Sequence, residues 1–202
     1  MSDAPAPPSS AKKKRSRVPA ARPGGRRGGE GGRPRLGARV AAVQALFQSE
    51  ANGESAEAVL DQFVRHRLGA PPEGREGGYE AGRVPAADVP LFVAVVRGVA
   101  REAAALDPIV AAHLAGDWTL ERLDPVLRAL LRAACAELRG GADPPARVVI
   151  NEYMDVAHGF FDGEEPRFAN GVLNALARRL RPAEFAGESA VPSAAPASAP
   201  AA

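Results

Sequence analysis

The stretch RFANGVLNAL, residues 167–176, decides whether this chain ends in a helix or in a hairpin. Asn170-Gly171 is a strong turn signal between two strands. The apolar residues around it do not alternate, however, but recur at helical spacing, at Ala169, Leu173, Leu176 and Leu180. That spacing predicts one continuous helix over residues 165–180. The helix tolerates Asn170 and Gly171 although both disfavour helix interiors, glycine by about 1 kcal/mol relative to alanine.

The same helical spacing extends through most of the chain and predicts an all-α fold. We expect seven short helices, three before and four after a break near residue 105. An Asp cap followed by proline is expected to start three of them, at residues 107–108, 124–125 and 143–145. Asn52-Gly53 and Gly140-Gly141 are expected to act as C-terminal stops. No alternating pattern of strand length is present.

Charge and composition divide the chain into a basic arm, a folded core and a tail. Residues 1–35 hold ten basic and two acidic residues, a net charge of +8. The whole chain carries +2, so residues 36–202 carry −6. The Gly/Pro-rich arm is predicted to be disordered because it cannot bury enough apolar surface. The Ala/Pro/Ser-rich residues 182–202 are predicted to be a second disordered tail, and residues 70–87 a mobile loop.

The composition argues against membrane insertion and secretion. No apolar run reaches the roughly 18 residues that a membrane-spanning helix requires. The N-terminus lacks the apolar segment of a secretory signal, because its basic residues are followed by glycine and proline. Cys135 is the only cysteine, which excludes an internal disulfide and fits a reducing compartment. We therefore expect a cytoplasmic protein with no membrane partner and a small buried thiol.

The sequence offers no arrangement of residues for catalysis. His66, His113 and His158 are far apart, without the spacing of metal ligands, and no phosphate-binding glycine loop is present. Glu152 and Asp155 lie three residues apart and could form a carboxylate pair. A salt bridge or a solvated helix face explains them more simply. We therefore predict no catalytic residue, no metal site and no cofactor.

Basic residues at the ends of two helices suggest RNA binding instead. Arg35 and Arg39 lie four residues apart, on one side of the first helix. Arg167 precedes Phe168 at the start of the last helix. Guanidinium groups bind phosphates and aromatic rings stack on unpaired bases, so this pairing suits RNA. Alternatively, the arginines face water and Phe168 belongs to the core; the RNA hypothesis requires the fold to bring both regions together.

Four blocks of sequence resemble the NusB family of transcription antitermination proteins. They are ARVAAVQALFQ at residues 38–48, LRALLRAACAEL at 127–138, VVINEYMDVAHGF at 148–160 and RFANGVLNALA at 167–177. The resemblance covers most of residues 36–181 and leaves out the arm, the 70–87 insertion and the tail. It implies a NusB-like helical bundle of two small subdomains, here at about residues 36–104 and 105–181.

The resemblance also implies a function and partners. NusB proteins pair with a small-subunit ribosomal protein, called NusE in this context, and the pair binds the single-stranded boxA element of ribosomal RNA operon transcripts. Within the RNA polymerase antitermination complex, this pair suppresses termination and aids ribosomal RNA synthesis. The resemblance places RNA contacts at Arg35, Arg39, Arg167 and Phe168, and we predict Gln44 and Asn170 as further RNA-binding residues.

Two departures from the family pattern affect these expected contacts. Leu36 and Gly37 stand where the family often has further arginines, and Phe47 replaces the more usual tyrosine. Our hypothesis is that the ten basic residues of the arm compensate by binding phosphates.

Two further expectations concern polar residues inside helices. Gly171, which has no Cβ, is expected to let the last helix approach a neighbouring helix or the RNA closely. The amide of Asn170 is expected at that crossing, more often against a neighbouring helix than against a base. Glu152 is expected to pair with an arginine of a packed helix, and Arg132 is the candidate.

Two alternative functions remain open from the sequence. The same helical fold occurs as the N-terminal RNA-binding domain of ribosomal RNA cytosine methyltransferases, and this chain could be a fragment of such an enzyme. It could also be a helical adaptor between proteins without an RNA function. A downstream catalytic domain would indicate the first alternative, and failure to bind boxA-type RNA would favour the second.

Overall fold

The fold is a bundle of helices. The computed structural model describes residues 33–69, 84, 86–116 and 118–187. These residues form six α-helices, and their one β-type pairing is an isolated bridge between Leu68 and Val84. The helices are α1 Pro34–Asn52, α2 Ala56–His66, α3 Val89–Ala111, α4 Pro125–Arg139, α5 Ala146–Phe160 and α6 Glu165–Leu180, with two short 3-10 helices at Leu120–Arg122 and Pro182–Phe185. The all-α prediction is confirmed.

Several helix ends follow the local signals. The Asp124 carboxylate accepts hydrogen bonds from the N–H groups of Val126 and Leu127, at 2.8 and 3.2 Å, and so caps α4. Gly53 ends α1 in the left-handed conformation, with φ of 66°, which glycine adopts without steric cost. Helix α6 continues through Asn170-Gly171 without a break, so the helical interpretation of that stretch is confirmed.

The helix break expected near residue 105 is wrong, because α3 runs through Pro108 as far as Ala111. A proline inside a helix costs about 3 kcal/mol. Leu106 and Val110, four residues apart on the same face, are both fully buried, and burial of each contributes about 1.5–3 kcal/mol. Their burial offsets the cost of the proline. The expected seven helices are therefore six in the described residues, and the proposed subdomain boundary, which stays a prediction, falls inside α3.

The predicted boundaries of the arm and the tail are each wrong by a few residues. Helix α1 starts at Pro34, inside the segment predicted to be disordered. At the other end, the Pro182–Phe185 turn buries Phe185 beneath the guanidinium groups of Arg147 and Arg178. The Glu184 carboxylate accepts a hydrogen bond of 2.6 Å from the Ala146 N–H and caps α5. Residues 1–32, 70–83, 85 and 188–202 lie outside the described residues, so their predicted disorder or mobility stays a prediction.

Helix α4 lies at the centre of the bundle and contacts α1, α3, α5 and α6. Its pattern of small and branched residues, ALLRAAC, allows close packing on several sides, and Cys135 is buried among them. Gly37 on α1 meets the end of the insertion, where an added Cβ would lie 2.8 Å from Val84 Cγ1. A longer side chain at Gly37 would displace that segment. No helix in the described ranges is both long and apolar enough to cross a membrane.

Candidate nucleic-acid interface

The start of α1 is held by a buried ion cluster centred on Arg39. Only 1% of Arg39 is exposed. Its Nε donates to Glu137 Oε2 at 3.0 Å, and its Nη1 donates to Glu152 Oε2 at 3.1 Å. A further bond joins Nη2 to the second oxygen of Glu137. Arg39 therefore joins α1 to α4 and α5, and this arrangement leaves no guanidinium surface for a phosphate.

Burial and the neighbouring carboxylates shift the pKa of Arg39 in opposite directions. Burial by itself lowers the pKa of Arg39, but hydrogen bonds and charge from Glu137 outweigh it, and the net effect raises that pKa. The Tyr153 ring lies 5.9 Å from the guanidinium carbon, and burial raises the pKa of this tyrosine well above its usual value. The arginine stays charged and the phenol stays neutral over the ordinary pH range.

Arg33 extends the cluster to the protein surface. Its guanidinium bonds both Glu152 and Asp155 on α5. The two carboxylates thus serve in salt bridges, as the simpler of the two interpretations predicted. The other prediction, a pair between Glu152 and Arg132, is wrong.

Arg132 instead binds Asp107 through two hydrogen bonds of 2.7 and 2.8 Å, and it also contacts Glu50. The reason is helix geometry. Arg132 precedes Glu137 by five residues on α4, which turns its direction by about 140° around the helix. Arg132 therefore faces α3 and the end of α1, whereas Glu137 faces the start of α1.

Two of the six expected RNA contacts are buried. Besides Arg39, Gln44 on α1 has only 2% of its surface exposed. A direct contact between either residue and RNA is not supported by this arrangement. Arg35 differs, because its side chain is exposed while its carbonyl oxygen accepts a bond of 3.2 Å from Arg39.

The first turns of α6 present an open polar face. Arg167, Asn170, Gly171 and Asn174 follow helical spacing and so share one side. The Arg167 side chain is 76% exposed, and its ion pair with Glu164 is a marginal 4.0 Å contact. Asn170 is exposed, and its side-chain oxygen accepts a 2.9 Å bond from Asn174 of the same helix.

The expectation that Gly171 admits a neighbouring helix is wrong. A Cβ added to Gly171 would meet no atom within 4 Å. Asn170 likewise bonds within α6 and not across a helix crossing. The backbone of α6 is therefore uncovered at Gly171, and close approach of RNA there stays a prediction.

Phe168 lies beside this face, half-buried against Trp118 from the segment between α3 and α4. The ring centroids are 6.0 Å apart, with an angle of 56° between the ring planes. Trp118 is 48% exposed, and the Arg122 guanidinium lies 5.6 Å from its ring. Sequence reasoning missed Trp118. A tryptophan in a short polar connection between two helices was the one available signal.

The N-terminal end of α1 lies against the C-terminal half of α5, and α6 begins five residues after α5 ends. Arg33 fixes the start of α1 at Asp155, five residues before α5 ends at Phe160. These five residues correspond to about 8 Å along the axis of α5. A short connection then leads to α6 and Arg167.

The described residues hold neither a cluster of metal ligands nor an activated thiol. Among them, no group of three or more His, Cys, Asp and Glu residues could hold a metal ion. Cys135 is buried, and burial raises its pKa to about 11, so its thiol is not activated as a nucleophile. The described residues define an all-helical bundle with an open polar and aromatic face at the start of α6.

The chain belongs to the NusB family, whose model matches residues 36–178. It is 62% identical over 156 residues to the transcription antitermination protein NusB of Granulibacter bethesdensis, covering 77% of this chain and 94% of that protein. Its fold is similar to the T. maritima NusB structure, with a TM-score of 0.59 and 26% identity over 76% of this chain and 97% of the other. A crystal structure of antitermination factors NusB and NusE in complex with double-stranded RNA has a TM-score of 0.55 at 22% identity, over 71% and 96% of the two chains.

These comparisons distinguish between the functions left open by the sequence. The matched Granulibacter protein is aligned over 94% of its length, so the match is to a whole antitermination protein and not to one domain of a longer enzyme. The family supports the transcription interpretation over the methyltransferase alternative.

Proposed function

We propose that this protein is a non-enzymatic, cytoplasmic RNA-binding factor of transcription antitermination. With a NusE-type ribosomal protein, it binds boxA-type RNA of ribosomal RNA operon transcripts, suppressing termination and aiding ribosomal RNA synthesis. The observation that carries the proposal is the open face of α6, where an exposed arginine, a half-buried aromatic ring and bare backbone lie together in a member of the NusB family.

Within this proposal, the expected contact residues have two different roles. Arg35, Arg167, Phe168 and Asn170 contact the RNA, because their side chains are exposed or lie at the surface. Arg39 and Gln44 act indirectly, since both are buried. Arg39 fixes the start of α1 against α5 and thereby sets the position of Arg35.

The direct test measures binding of fluorescently labelled single-stranded boxA-type RNA by anisotropy, with and without NusE. We expect weak binding by the isolated chain and tighter binding with NusE. A duplex of the same sequence is the control, and it should bind more weakly because its bases are not free to stack. Equal affinity with and without NusE would contradict the proposed partnership.

Phe168→Ala tests the aromatic contact. The loss of one stacked base corresponds to about 1–3 kcal/mol of binding free energy. Phe161→Ala, which removes another half-buried ring just before α6, is the matched control and should retain affinity. If both variants bind RNA normally while NusE binding persists, the protein is an adaptor without an RNA surface at α6.

Removal of residues 1–32 tests the hypothesis about the basic arm. This truncation removes eight of the arm's ten basic residues and keeps Arg33, so the salt bridges to Glu152 and Asp155 remain. Each phosphate contact that is lost should lower the log–log salt dependence of single-strand binding by about 0.7. Unchanged affinity and an unchanged slope would show that the arm does not contact RNA.

A further inference from the structure

Trp118 is the most exposed large apolar side chain in the part of the chain that the structure describes. It is 48% exposed, compared with 44% for Val148 and 43% for Val64. A half-exposed tryptophan leaves far more apolar surface in water than either valine, because its side chain is much larger. The bundle therefore does not use most of this ring for its own packing.

The ring is nevertheless fixed in place from two directions. Phe168, in the first turn of α6, lies within the centroid distance typical of interacting aromatic pairs. Arg122, at the end of the Leu120–Arg122 turn, lies within about 6 Å of the ring, the usual range of a cation–π contact. An exposed ring held in one orientation loses little conformational freedom when a ligand stacks on it.

The chemistry of the ring and of its surroundings indicates which part of a nucleic acid it fits. The indole ring is flat and uncharged, so the ring itself suits the face of an unpaired base. Arg167, on the neighbouring open face, suits the phosphate of an adjacent nucleotide.

We propose that Trp118, supported by Phe168 and Arg122, is a stacking platform for one unpaired base of the bound RNA strand. This inference rests on the proposed function and adds a contact that extends the RNA surface from α6 to the segment between α3 and α4. The platform recognises the flat face that all bases share, so it contributes affinity for unpaired RNA without selecting a particular base.

Trp118 is the only tryptophan in the chain, so the tryptophan fluorescence of this protein reports on this ring alone, and the same complex made with Trp118→Phe gives the background from NusE. The full-length protein with NusE is titrated with unlabelled single-stranded boxA-type RNA, and fluorescence is recorded. We expect quenching that saturates at the same RNA concentration as the anisotropy of labelled RNA measured in parallel.

Two substitutions separate stacking from packing. Trp118→Leu keeps apolar bulk against Phe168 but removes the aromatic face, and it should weaken RNA binding by about 5- to 150-fold, the equivalent of one lost base stack. Trp118→Phe keeps an aromatic face and should retain much of the affinity. Val148→Ala, at another exposed apolar position, is the control and should bind normally.

The outcomes distinguish this inference from the proposed function. Normal RNA binding without quenching, together with normal affinity of Trp118→Leu, overturns the platform and leaves the proposed function standing. Quenching by NusE alone, with loss of NusE affinity in Trp118→Leu, also overturns it, because the ring would then belong to the protein interface. Failure of the unsubstituted complex to bind RNA overturns the proposed function itself, and the platform with it.

Discussion

Arg39 and Arg167 each have an aromatic residue beside them, and their two regions differ in nearly every other respect. Arg39 is 1% exposed and bonded to Glu137 and Glu152, with Tyr153 beside it. The Arg167 side chain, next to Phe168, is 76% exposed and has one marginal ion pair. The same residue types therefore hold the bundle together in one place and leave a surface open to a ligand in the other.

The two arginines differ in the carboxylates that surround them and in their exposure to water. A buried arginine between carboxylates is costly to disturb on one side only, because the remaining charges lose their partner without regaining water. An exposed pair contributes about 0–1 kcal/mol and exchanges readily for another partner. Arg167 can therefore exchange Glu164 for an RNA phosphate, whereas Arg39 cannot leave its cluster cheaply.

The largest expected effect is that of Arg39→Ala on stability. It should lower the free energy of unfolding by about 3–5 kcal/mol, because Glu137 and Glu152 would remain without their counter-charge. Denaturant unfolding followed by circular dichroism measures this change. Arg167→Ala is the control and should stay within about 0.5 kcal/mol of the unsubstituted protein. A stable Arg39→Ala protein that loses RNA binding would reverse the comparison and make Arg39 a direct RNA contact.

Alkaline pH should lower the free energy of unfolding through a group in the buried interior and not through the residues of the α6 surface. Burial raises the pKa of Cys135 from 9.0 to about 11, so the unfolded chain loses this proton at lower pH than the folded chain. The contribution of the protonated thiol to the free energy of unfolding is complete below pH 9 and is lost as the pH rises through 11. At about 1.4 kcal/mol per pKa unit, the loss is about 3 kcal/mol. Unfolding of Cys135→Ala across the same pH range should lack this component. Equal pH dependence of the two proteins would refute the assignment to the thiol.

Gly171→Ala should act in opposite directions on stability and on RNA binding. Alanine should raise the free energy of unfolding by about 0.4–1 kcal/mol, since its Cβ would enter open space. The same Cβ should reduce RNA affinity where the strand lies against bare backbone. Gly98→Ala is the matched control, because its Cβ would make an ordinary 3.8 Å contact with Ala136 within the bundle. RNA affinity that falls equally in both variants would show that α6 is not the contact.

The smallest expected effect is that of Arg167→Ala on the salt dependence of RNA binding. Loss of one phosphate contact should lower the log–log slope by about 0.7 for a single strand. Arg65→Ala removes a similarly exposed arginine, paired with Asp61 on α2, and should leave the slope unchanged. Identical slopes for the two variants would place Arg167 outside the RNA surface.

Local signals in the sequence were sufficient for most of the fold. The Asp124 cap, the stop at Gly53 and the apolar spacing around Asn170-Gly171 each depend on residues within a few positions of one another. The continuation of α3 through Pro108 could not be predicted in this way. It depends on the burial of Leu106 and Val110 by other parts of the bundle, and tertiary packing outweighs the local preference.

The candidate site was harder to predict from the sequence than the fold. The partner of Glu152 depends on how α1, α4 and α5 cross, and spacing along one helix does not determine it. The same crossing buries Arg39, which the pattern of Arg35 and Arg39 alone suggested was exposed. Trp118 has no periodic neighbours, so only the contact with Phe168 revealed its position beside the proposed RNA surface.

The unbroken α3 also limits how this chain can be divided. The helix contacts α1 and α2 from the first half of the chain and α4 and α6 from the second, so neither half keeps a complete apolar interior alone. Two peptides produced by cutting at residue 105 would each be poorly structured. Mixing them should restore the bundle by fragment complementation, with one shared cooperative transition.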